Sequence, residues 1–349
     1  MHEKRKGRPI VRGKSTVTKR PANVVYTIEQ AFEMFLHAKA AEGLRPRTIA
    51  DYKAHHKWFT EWLTEYHPDI ENITEITPQI LRDYIYYLTY EKVQYEGHPV
   101  KSDAEKEKKG LSPSTVNIRI NTMRAFYRWL HSEGIIPINP AANIRKQPVE
   151  EDRIGAFTDE QVGLLLDMPD QNTYVGFRDY VLMRLLLESG MRINELLSLT
   201  IDDIDMKTRL ITLPASRNKN RKARVIPIST KMVRLLLELI SENKTYFPAA
   251  RHVFLANYGD PLTESSVADR IKEYGIRAGI ADQVRCSPHT FRHTFAKNFL
   301  TAGGDIVALQ RILGHSSMEM VRKYVQHTVD DLREAHDKFT QARAKRQLR

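Results

Sequence analysis

Cysteine, long apolar runs and acidic residues are all in short supply in this chain. One cysteine in 349 residues, Cys286, excludes an internal disulfide and any zinc site built on paired thiolates. No stretch approaches the roughly 18 consecutive apolar residues that span a bilayer, so no membrane-crossing helix is expected. The N-terminus is basic but no apolar segment follows it, which argues against a secretory leader. Acids number 43 against 54 Lys and Arg, a formal net charge of +11. A surplus of that size predicts a polyanionic partner, nucleic acid first and anionic membrane second, and a soluble cytoplasmic protein associated with the nucleoid. The rest of the composition is ordinary. With 41% hydrophobic and 28% charged residues the chain reads as globular, and its length predicts about two domains.

The order of patterns along the chain divides it further. Residues 1–24 carry Lys4, Arg5, Lys6, Arg8, Arg12, Lys14, Lys19 and Arg20 against Glu3 alone, with no apolar period, which predicts a flexible basic arm. Residues 25–146 are helical in pattern. Ile28, Ala31, Phe32, Phe35 and Leu36 fall on one helical face behind Thr27, and further helices open at Arg45-Pro46, Thr77-Pro78 and Ser112-Pro113. The last of these turns Val116, Ile120, Met123, Tyr127 and Leu130 inward and carries Arg119, Arg124 and Arg128 on its remaining faces, a cationic surface suited to DNA phosphates. The segment His98–Gly110 reads as a surface loop and residues 147–156 as a linker. Residues 157–330 form a second domain with a buried-looking helix at Arg178–Glu188. Its strand-like runs Leu210–Ala215 and Ala223–Ile228 are joined into a hairpin by a basic tip. Residues 331–349 can form a short helix with a narrow apolar strip of Leu332, Ala335 and Phe339, which needs a partner surface.

Reactive side chains cluster in the second domain. Arg192 lies in Ser189-Gly190-Met191-Arg192-Ile193-Asn194-Glu195, a turn feeding a helix. Lys219 and Lys222 lie at the hairpin tip. His289 and Arg292, three residues apart in Pro288-His289-Thr290-Phe291-Arg292-His293, share a helix face, from which His293 is expected to point away in a structural role. His315 follows Leu313-Gly314, and Tyr324 comes nine residues later. Two guanidinium forks suit the non-bridging oxygens of one phosphate, and they act most strongly as charge builds there in a five-coordinate transition state. A histidine titrating near neutrality serves as general base or acid, a lysine can protonate a leaving alkoxide, and a tyrosine is a covalent nucleophile. No carboxylate cluster with metal spacing stands beside them. The set predicts metal-free phosphoryl transfer to tyrosine on a nucleic-acid backbone.

These motifs, in this order, resemble the tyrosine recombinase (phage integrase) family, most closely in the arrangement of Xer recombinases and mobile-element integrases. The resemblance runs from about Tyr26 to about His327. It implies a mainly α fold: a helical, SAM-like core-binding domain followed by a mixed α+β catalytic domain with a small hairpin or sheet. It also implies catalytic roles for Arg192, Lys219, His289, Arg292, His315 and Tyr324, with Glu195 supporting Arg192. The reaction implied is site-specific cutting and rejoining of DNA through a 3′-phosphotyrosyl intermediate and a Holliday junction, with no cofactor, metal or ATP. The implied partners are a double-stranded recombination site, a homotetramer on two such sites (a monomer when free), and accessory DNA-bending or directionality factors. The tail beyond 330 would dock on a neighbouring protomer. The chain departs from the family pattern in two places. Glu-Ser-Gly-Met-Arg stands where Thr-Gly-Leu-Arg is common, with Gly190 and Arg192 kept. Arg217-Asn218-Lys219-Asn220 replaces the frequent Gly-Lys-Gly; counting back from Arg224-Val225-Ile226-Pro227 selects Lys219, with Lys222 as the alternative.

Overall fold

A computed structural model describes residues 25–94, 108–149, 155–215, 217, 223–315 and 317–322. The basic arm, most of the His98–Gly110 loop, Lys219 and Lys222 at the hairpin tip, and Tyr324 with the tail all lie outside the described residues. The chain divides into two compact units, residues 1–151 and 152–349.

Among the described residues the first unit is built from α1 (Ile28–Ala41), α2 (Pro46–Tyr66), α3 (Pro78–Tyr86, running on into a π-helical turn, Tyr87–Glu91) and α4 (Pro113–Ser132). The starts are where the sequence places them. Thr27 and Gln30 exchange side-chain-to-backbone hydrogen bonds in a capping box, and proline opens α2, α3 and α4, where a missing N–H is harmless. The buried faces meet in an aromatic core of Phe32, Phe35, Phe59, Trp62, Tyr84, Phe126 and Tyr127. Arg119 does not lie on the cationic outer surface expected of it. It is only 9% exposed, its guanidinium lies 4.4 Å over the Trp58 ring, and Nη1 donates to the Tyr84 hydroxyl at 3.3 Å. It stands three residues after Val116 and four before Met123, so helical geometry carries it inward. Arg124, half-buried, and Arg128, exposed, remain on the outer face.

Among the described residues the second unit holds α5 (Asp159–Asp167), α6 (Tyr174–Ser189), α7 (Ile193–Leu197), a three-stranded antiparallel sheet of β1 (Ile204–Asp205), β2 (Leu210–Leu213) and β3 (Arg224–Pro227), and then five helices. These are α8 (Thr230–Tyr246), α9 (Glu264–Arg277), α10 (Pro288–Thr301), α11 (Ile306–Leu313) and α12 (Met318–Arg322). The hairpin lies where expected; β1 is an addition, and two residues are too few to show alternation. Helix α6 starts a turn earlier than the sequence suggests, because Thr173 caps it; both α8 and α10 pack against it, and its Val181, Leu182, Leu185 and Leu186 are buried in the core of the unit. In β3, Arg224 and Ile226 are buried while Val225 and Pro227 are not, and Arg224 pairs with Leu213 of β2. An arginine therefore occupies a strand position that points into the core. Among the described residues no helix is long and apolar enough to cross a membrane.

Candidate active site

The site is organised around one backbone oxygen. Helix α11 ends at Leu313, where the last carbonyls have no intrahelical donor and carry the negative end of the helix dipole. Three guanidinium groups donate to the Leu313 carbonyl: Arg192 at 3.4 Å, Arg224 at 2.9 Å and Arg292 at 2.8 Å. Gly314 makes this convergence possible. Its φ of +64° turns the chain off the helix, and a Cβ there would fall 2.2 Å from Arg224 Nη1.

Each arginine arrives by a different route. Helix α6 stops at Gly190, whose φ of +58° and lack of Cβ let Phe295 and Leu313 close over it. Arg192 then caps α7. Glu195 accepts from the Arg192 backbone N–H at 2.9 Å through Oε2 and from Arg192 Nη1 at 3.0 Å through Oε1. Arg224 Nη2 donates to the same Oε2 at 2.6 Å. Arg292, on α10 and only 3% exposed, also donates to the Gly190 carbonyl at 2.7 Å and to His315 Nε2 at 2.6 Å. A guanidinium cannot accept, so Nε2 of His315 is the acceptor and its proton sits on Nδ1. Burial, followed by the fields of Arg292, Arg192 and Arg224, pushes the His315 pKa down to about 3, in keeping with a neutral ring.

His289 occupies the first turn of α10 and faces His293, Nε2 to Nε2, at 2.9 Å. That corrects the expectation that His293 points away: it is four residues from His289, hence on the same face. Of the two facing nitrogens, one donates and the other accepts. Burial and the neighbouring His289 lower the His293 pKa to about 4. The ring of His289 reaches the surface, yet desolvation of its inner edge and the charges of Arg292, Arg285 and Arg192 lower its pKa too.

The structure thus brings Arg192, Glu195, His289, Arg292 and His315 into one constellation and adds Arg224 and His293. Among the described residues, three guanidinium groups share the Leu313 carbonyl, two of them, Arg192 and Arg224, are also hydrogen-bonded to the carboxylate of Glu195, and the histidines nearby are held neutral. Such a centre is electropositive and rich in donors, and suits a tetrahedral oxyanion. Also among the described residues, no group of three or more His, Cys, Asp and Glu is placed to hold a metal ion.

The depressed histidines carry a pH signature. A folded-state pKa near 4 against about 6.5 in the unfolded chain means that the unfolded chain alone takes up the proton below pH 6.5. Stability is therefore expected to fall as pH drops from 6.5 towards 4, and to be insensitive to this group above 7. His293→Gln should flatten the dependence of the unfolding temperature on pH in that window; an unchanged slope would contradict a neutral, buried His293.

The phage integrase family matches residues 156–330, and the phage integrase SAM-like domain matches residues 27–146. A Myxococcus xanthus protein named tyrosine recombinase XerC is 30% identical over 232 residues, 65% of this chain and 76% of its own length. The tyrosine recombinase XerC of Pelobacter propionicus is 29% identical over 312 residues, 89% of this chain and 95% of its own. Among solved structures, the Tn1549 transposon integrase in complex with transposon right end DNA shares the fold at a TM-score of 0.68 and 20% identity, covering 90% of this chain and 100% of that one. A lambda integrase dimer bound to a core site gives 0.61 at 17% identity, covering 86% and 77%. The family match defines a DNA strand cleaving and rejoining enzyme. The chain belongs to the phage integrase family and is a site-specific tyrosine recombinase, which cuts and rejoins DNA strands.

Proposed function

We propose that Arg192 and Arg292 hold a scissile DNA phosphate and that Tyr324 attacks it, releasing a 5′-hydroxyl and leaving a 3′-phosphotyrosine. The observation that carries this reading is the convergence of three guanidinium groups on the Leu313 carbonyl beside a single carboxylate. A phosphate supplies the missing negative charge and acceptors, and its transition state more so. His315 adds a donor through Nδ1–H. Lys219 protonates the leaving 5′-oxygen, and His289 takes the tyrosine proton. To accept it on Nδ1, His289 must carry its own proton on Nε2, donated to His293. The position of Val321 supports Tyr324: it is fully buried with Ala296, Leu309 and Leu313, and three residues of chain span at most about 10 Å.

One phosphodiester replaces another, so bond energy is retained and neither ATP nor a metal enters the scheme. Attack by a 5′-hydroxyl from a second duplex reverses the step and joins two DNAs. The assembly is four protomers on two sites working through a Holliday junction, with residues 331–349 of each docked on its neighbour. The setting is the cytoplasm, with the nucleoid as substrate and accessory DNA-bending factors setting direction. Arg124 and Arg128 of the first unit contact backbone phosphates.

The test is a nicked suicide duplex carrying a site taken from DNA that flanks the coding sequence. The expected product is a denaturation-resistant adduct, mapped by proteolysis and mass spectrometry to a peptide containing Tyr324, together with strand exchange into a second duplex. An adduct that only reseals its own strand would indicate a topoisomerase, and site binding with no adduct would indicate a DNA-binding protein without catalysis.

Residues 1–24 add affinity through phosphate neutralisation and leave the cleavage position to the two folded units. Deleting residues 1–20 should flatten the slope of log affinity against log salt, by up to about 7 for its eight cations at roughly 0.9 per phosphate, without moving the cut. An unaltered slope would make the arm a solubilising tail.

A further inference from the structure

Arg224 is not among the residues that the motifs point to, yet it links the Glu195 carboxylate to the Leu313 carbonyl. It sits at the base of the hairpin, on an inward-facing strand position that would ordinarily hold an aliphatic side chain like its neighbour Ile226. Its two terminal nitrogens reach different elements: Nη1 donates to the Leu313 carbonyl at the end of α11 at 2.9 Å, and Nη2 to Glu195 Oε2 on α7 at 2.6 Å. That same Oε2 accepts the Arg192 backbone N–H, while Oε1 accepts the Arg192 guanidinium. One planar fork therefore sets the orientation of the carboxylate that sets Arg192. A lysine, a point donor, could hold one of the two acceptors but not span both.

Stability alone does not explain an arginine here. A buried ion pair returns little net free energy over well-packed apolar residues, because desolvation offsets the attraction. What it supplies is geometry. Without Arg224, Oε2 of Glu195 loses its shortest partner and the carboxylate is free to swing with Arg192. The Leu313 carbonyl would likewise keep only Arg192 at 3.4 Å and Arg292 at 2.8 Å. The strand that carries Arg224 leads directly from the segment bearing Lys219, so the same contact ties the hairpin base to the arginine pair.

We propose that Arg224 is a positioning residue for strand cleavage: by clamping Glu195 and the Leu313 carbonyl together, it fixes the Arg192 guanidinium against the scissile phosphate. This rests on the reading that Arg192 binds that phosphate. Arg224 itself, 8% exposed, acts through Glu195 and not on the DNA.

The experiment uses the full-length protein with Arg224→Met, Arg224→Lys, Glu195→Gln, the Arg224→Met/Glu195→Gln double variant, and Arg192→Ala as reference. Three quantities are read: single-turnover cleavage of the nicked suicide duplex at saturating protein, equilibrium affinity for the same duplex, and the unfolding temperature. The expected result for Arg224→Met is a cleavage rate lower by about 10- to 100-fold, the order lost when a transition-state donor is misplaced, with affinity within about threefold. Arg224→Lys should recover part of the rate. The double variant should be no slower than the slower single variant, because both act through one carboxylate. Losses that multiply in the double variant, or a loss of affinity and unfolding temperature with an unchanged cleavage rate, would overturn the proposal and leave Arg224 a packing residue. If Arg224→Met does not fold, the same cycle built on Arg224→Lys and Glu195→Gln decides the question. Unimpaired cleavage by Arg192→Ala would instead refute the phosphate reading beneath it.

Discussion

Arg292→Ala is expected to slow single-turnover cleavage by at least about 10³-fold while site-specific binding survives. Removal of one preorganised donor aimed at transition-state charge lowers rates by about 10²–10³. Arg292 does more than donate, since it also fixes His315, a further donor assigned to the phosphate. Its truncation leaves the Gly190 carbonyl without that donor and the Leu313 carbonyl with Arg192 and Arg224, which costs about 1–3 kcal/mol of stability. The two effects separate experimentally. Thermal unfolding reports the second, and cleavage measured well below the unfolding transition reports the first. Arg292→Lys keeps the charge but loses the fork, and should remain impaired by at least tenfold. Cleavage by Arg292→Ala within tenfold of the parent would place the phosphate elsewhere.

Much of this centre is legible in the linear chain because its members sit at element boundaries, where local rules are strict. Gly190 and Gly314 mark helix ends that need positive φ, and Arg192 and Glu195 follow at cap and third helical position. The long helices are legible for a related reason: Thr27, Pro46, Thr77-Pro78 and Ser112-Pro113 are start signals with a mechanism, and the apolar period behind each runs unbroken.

What escapes the sequence depends on partners remote in the chain. Arg224 stands at an alternating strand position, but the inward side is defined only once β3 pairs with β2 and brings Arg224 opposite Leu213. Its partners are 29 and 89 residues away. Arg119 and His293 are a different kind of miss, since each was within reach of helical arithmetic. Arg119 shares a face with Val116 and Met123, and charge alone suggested solvent. A long side chain can bury its stem and lay its head on an aromatic ring, as Arg119 does on Trp58. His293 lies four residues from His289, and that spacing outweighs its adjacency to Arg292.

The central claim is that this arginine-histidine centre serves a covalent step at Tyr324, and one substitution tests it most directly. Tyr324→Phe removes a single oxygen and almost no packing volume, so folding, the unfolding temperature and site affinity should match the parent. On the nicked suicide duplex the parent accumulates a denaturation-resistant protein–DNA adduct with a free 5′-hydroxyl on the released strand. The Phe variant is predicted to form none, at any pH or incubation time. An adduct of normal yield from Tyr324→Phe would contradict the account: another side chain would then be the nucleophile, and the centre around Leu313 would serve a different reaction.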